Sequence, residues 1–127
     1  MDGRLVSARG ALTDALETLL PPDVAVIPYA KQIDPPAKST VMLRLDKVRP
    51  STATNGHLDY DFALVLIAAT TTTGTADDEL EDLLSDVLFA LEKDHGLAVT
   101  WTEATRATYA DTNPAFEVPT TVTTAKE

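Results

Sequence analysis

Leu5, Ala8, Leu12, Leu16, Leu19 and Leu20 recur at helical spacing, while Arg4, Arg9, Asp14 and Glu17 fall mostly on the other side. The spacing predicts an amphipathic helix over 3–20, stopped by Pro21-Pro22, which break the hydrogen-bond ladder. The short β-branched run "VAVIPY" (24–29) predicts a strand. Pro28 has no N–H to donate, so that strand is expected at a sheet edge or to end there. A proline-stiffened loop (30–39) leads to "TVMLRLDKV" (40–48), which alternates Val41, Leu43 and Leu45 with Met42, Arg44 and Asp46. Such alternation marks a half-buried strand.

The next strand, "LDYDFALVLIAAT" (58–70), is apolar on one side throughout, at Leu58, Tyr60, Phe62, Leu64 and Leu66. Its other side begins with Asp59 and Asp61 and turns apolar at Ala63, Val65 and Ile67. A strand apolar on both faces is central and covered on both sides. One cover is expected from the helices, the other from a further strand layer or a second subunit. Between these strands, "RPSTATNGH" (49–57), with Asn55-Gly56, predicts the tip of a long hairpin. Thr52, Asn55 and His57 in this tip are candidate partner contacts.

Leu80, Leu83, Leu84, Val87, Leu88 and Leu91 form the stripe of a second helix over 75–95. Thr75 with Asp78 predicts a capping box, Asp77, Asp78 and Glu79 suit the positive helix end, and Gly96 is placed for the C-terminal cap. The strand–turn–helix layout of 67–96 is also that of phosphate-binding loops. Three carboxylates at the helix start and no nearby lysine make this turn structural instead. Two more strands are predicted at 97–109, where Val99, Trp101 and Tyr109 share a face, and at 115–124, where Pro119 signals an edge or a bulge. The expected fold is α+β, one domain over 1–127: a mixed, mostly antiparallel sheet of four to five strands with two amphipathic helices packed on one face.

Composition narrows the function. The chain has 127 residues, a formal charge of −10 and no cysteine. It lacks the basic footprint of a free-standing nucleic-acid binder, and disulfides and thiolate metal sites are excluded. Neither a signal peptide nor a membrane span is expected. His95 reads as a helix C-terminal residue stabilised by the dipole. His57 beside Asp59 and Asp61 is a poor match to a hard-cation site, which needs several converging oxygens. Ser39, Ser51 and Ser85 carry no local nucleophile signature. No cofactor, metal or catalytic residue is expected, and the chain does not read as an enzyme.

Charge is divided along the chain. Residues 77–94 hold eight acids against Lys93, while 31–49 hold Lys31, Lys38, Arg44, Lys47 and Arg49 against Asp34 and Asp46. In a monomer this division reads as two solvated faces. In an assembly it predicts a head-to-tail contact between copies, with Lys38, Arg44 and Arg49 meeting Glu81 and Asp82, and Val65 and Ile67 supplying apolar contact.

The leucine-rich first helix, "VAVIPYAKQIDPPAKSTVMLRL", the long strand "YDFALVLIAA", the acidic helix and the terminal "FEVPTTVTT" together resemble the tail terminator proteins of long-tailed bacteriophages. The resemblance covers nearly the whole chain. It implies a structural virion protein at the head-proximal end of the tail, assembled in the host cytoplasm. Such a protein forms a homo-oligomeric ring, a hexamer, that caps the tail tube, ends its polymerisation and presents a surface for head joining. Its partners would be the tail tube protein and a head-completion protein, with DNA passing through an acidic ring without specific binding. Another head–tail connector of similar build, or an unrelated small-molecule-binding or enzymatic domain, stands as the alternative.

Overall fold

In the computed structural model, which describes residues 4–28, 39–50, 57–69, 73–93, 98–109 and 113–125, the first leucine stripe becomes helix α1 (Arg4–Leu19). Ala8, Leu12, Leu16 and Leu20 are all buried in the main core. The chain turns at Pro21-Pro22 into β1 (Ala25–Ile27), which ends where Pro28 removes a donor. β1 is an edge strand, parallel to β2 (Thr40–Pro50) through Ala25–Thr40, Val26–Val41 and Ile27–Met42.

β2 and β3 (His57–Ile67) form the expected antiparallel hairpin. The strands run further than the sequence suggests, so Arg49, Pro50 and His57 belong to the ladder and not to its tip. Thr52 and Asn55 lie outside the described residues. β3 occupies the middle of the sheet, whose order is β1-β2-β3-β6-β4, with β5 also paired to β6. Its partner β6 (Asn113–Ala125) runs antiparallel beside it over its whole length.

The strand predicted over 97–109 is two strands, β4 (Ala98–Trp101) and β5 (Thr105–Tyr109), laid end to end along β6. Trp101 pairs with Thr120 and Thr105 with Glu117, so three residues on one side of the break oppose two on the other. The extra residue reverses the alternation. Val99 and Trp101 pack on the helix-side core, whereas Ala107 joins Ala115 on the opposite face, so one unbroken face from Val99 to Tyr109 does not form. Pro119 sits opposite this break, where its carbonyl accepts the Thr102 N–H at 3.4 Å. A residue's N–H and C=O point to the same neighbour in an antiparallel ladder, so the donor that proline lacks faces the gap.

Helix α2 (Thr73–Glu92) carries the second stripe, with Ala76, Leu80, Leu83, Val87, Ala90 and Leu91 buried. It begins two residues before Thr75, so Thr75 is a residue of the first turn and not the cap. Asp77, Asp78 and Glu79 fall in the second turn. Lys93 follows the helix, donating its N–H to Phe89 at 3.1 Å, and His95 and Gly96 lie outside the described residues. Both helices cover one face of the sheet, where Val41, Leu43, Tyr60, Phe62, Leu64, Leu66, Val118 and Val122 meet them in one core. The architecture is α+β, a mixed, mostly antiparallel six-stranded sheet under two helices. Among the described residues, no helix is long and apolar enough to cross a membrane.

Candidate functional site

The face of the sheet turned away from the helices has an apolar end and a polar end. At the apolar end Met42, Ile67 and Ala115 form a second buried cluster, against which Ile27, Val65 and Ala107 pack. Ile67 is fully buried within the chain, so it offers no surface to a neighbouring copy, contrary to the sequence expectation. Val65 is half-buried. The apolar second side of β3 is a core within this chain.

The polar end depends on a bulge. Leu45 pairs with Phe62 and Lys47 with Asp61, leaving Asp46 as an extra residue in β2. Unbroken alternation would place Lys47 and Arg49 on the side of Leu43 and Leu45, away from Asp59 and Asp61. The extra residue moves both cations to the side of Asp59 and Asp61 and turns Val48 toward the face of Tyr60. The sequence held a sign of this: the apolar phase shifts from odd positions (Leu43, Leu45) to an even one (Val48).

Arg49 then reaches across to β3. Its Nε and Nη2 donate to the two oxygens of Asp61 at 2.9 and 3.2 Å, and its Nη1 to Asp59 at 3.0 Å. From the other side β6 adds two hydroxyl donors: Thr121 to Asp61 at 2.7 Å and Thr123 to Asp59 at 2.6 Å. Every carboxylate oxygen of the pair therefore accepts a bond. The fork of Arg49 and the planar carboxylate match bidentately, which makes these the stronger kind of hydrogen bond. The aspartate side chains are only 10% and 16% exposed, so they need these donors. Burial pushes Asp61 upward, but the bonds from Arg49 and Thr121, with the charges of Arg49 and Lys47, outweigh it and hold the group below the usual carboxylate range. The same Asp61 bonds make the Arg49 guanidinium still harder to deprotonate.

This cluster ties three strands together, and it takes up the carboxylates that the sequence offered for a cation. His57 opens β3 two residues away, opposite Ala125. Among the described residues no group of three or more histidines, cysteines and carboxylates is arranged for a metal ion. Arg44 is also engaged: Nε and Nη2 donate to Asp46 at 2.8 and 3.3 Å, and Nη1 lies 3.6 Å from Glu117. The Asp46 bond raises its pKa further. Two cations expected at a subunit contact thus have partners inside the chain, while Lys38 lies outside the described residues.

The helix side differs. Glu81 and Asp82 stand exposed on α2 beside Asp78, Asp86 and Phe89, the last 64% exposed with Lys93 lying over its ring. Two acids of the helix have partners on neighbouring strands: Asp77 takes Arg106 at 2.9 Å and Glu92 takes the Trp101 indole at 2.9 Å. Glu79 turns inward, where one of its oxygens accepts both the Ala69 N–H, at 2.9 Å, and the Ser39 hydroxyl. The chain's own carboxylate thereby ties the end of β3 and Ser39 to α2. A cleft of about 310 Å³ beside it is rimmed by Asp23, Glu79, Asp82 and Asp86. Among the described residues its lining holds four acids and no base, which disfavours phosphate and carboxylate ligands there.

No protein-family model matches the chain, and comparison with the curated proteins finds no match.

Proposed function

We propose that this chain is a structural virion protein that forms a ring on the end of a phage tail tube, ending tube growth and offering a surface for head joining. The observation that carries the reading is the order of elements. A leucine-rich helix, a proline-bounded edge strand, a long hairpin, an acidic helix and a terminal strand group follow one another as they do in the tail terminators that the sequence resembles. The formal charge of −10 suits a ring through which DNA slides, because a lining without a basic footprint gains nothing from counterion release.

In this reading Glu81 and Asp82 of one copy meet the basic strand of the next. Arg44 is the cleaner probe of that strand, since both of its carboxylate partners are exposed. Arg49 also holds Asp59 and Asp61, so reversing it tests folding and assembly together. The experiment adds purified protein to uncapped tail tubes and follows the tube ends by electron microscopy. Capped ends of uniform length are expected with the natural chain, fewer with Arg44→Glu, and a partial return when Glu81→Lys and Asp82→Lys are added. Tubes that keep growing in the presence of the natural chain would overturn the proposal.

A further inference from the structure

We draw no further inference here: the strongest candidate, the acidic outer face of α2 around the exposed Phe89, carries nothing because nothing in the structure shows what covers it.

Discussion

Asp59 and Asp61 of β3 and the outer acids of α2, Asp78, Glu81, Asp82 and Asp86, are opposites in environment. Asp59 and Asp61 are largely buried, and each of their oxygens accepts a donor from β2 or β6. Asp78, Glu81, Asp82 and Asp86 on α2 stand in water. The formal charge of −10 counts both sets alike. Only the first set holds the fold together. The second contributes to the negative field around the molecule. Acidity in a composition therefore describes solution behaviour, and the donors within reach decide what any one carboxylate does.

The comparison can be tested from its strongest term downward. Phe62 follows Asp61 in β3 but faces the helix side, where it is 1% exposed. Phe62→Ala should cost about 3–5 kcal/mol, read as a lowered urea midpoint. It sets the scale for the apolar side of the strand. On the polar side, Asp59→Ala leaves Arg49 and Thr123 short of an acceptor and should cost about 1–3 kcal/mol. Asp82→Ala on α2 should stay within about 0.5 kcal/mol. Equal effects from these two substitutions would erase the distinction between the sets.

Acid should act on the same cluster. A carboxylate whose folded pKa is depressed adds stability that is complete above its unfolded value, about 3.9 for Asp. That stability is lost as pH falls through the folded value. Because Asp61 is depressed, the urea midpoint should drop on acidification below about pH 4, and Asp61→Asn should flatten part of that drop. A drop of undiminished steepness in the variant would show that Asp61 takes no part in it.

Two smaller effects belong to α2. Asp82 and Asp86 are four residues apart and repel each other, so Asp86→Lys should raise stability by about 0.2–0.5 kcal/mol, less at high salt. Thr75 lies inside the first turn, so Thr75→Ala should be neutral or raise the midpoint by a few tenths of a kcal/mol, as alanine is the better helix former. A loss of about 1 kcal/mol would restore Thr75 to the role of cap.

Local pattern was enough for the two helices, the β2–β3 hairpin, the end of β1 at Pro28 and the central place of β3. Each depends on spacing within one segment: leucines every three or four residues, alternation by two, or a proline without its donor. The bulge at Asp46, the break of 97–109 into two strands and the inward turn of Glu79 were not legible in the same way. They depend on which residue of a distant strand stands opposite, and register is set by the whole sheet.

The sequence by itself determined the fold class, the amphipathic faces of the helices and the acidic character of the surface, because each follows from composition or short-range periodicity. Tertiary structure alone decided that Arg49 serves Asp59 and Asp61, that Ile67 belongs to an internal cluster, and that the α2 acids around Glu81 and Asp82 stay in solvent. Those outcomes rest on pairings between residues as far apart as Asp59 and Thr123, and one extra residue in β2 is enough to move Lys47 and Arg49 from one face of the sheet to the other.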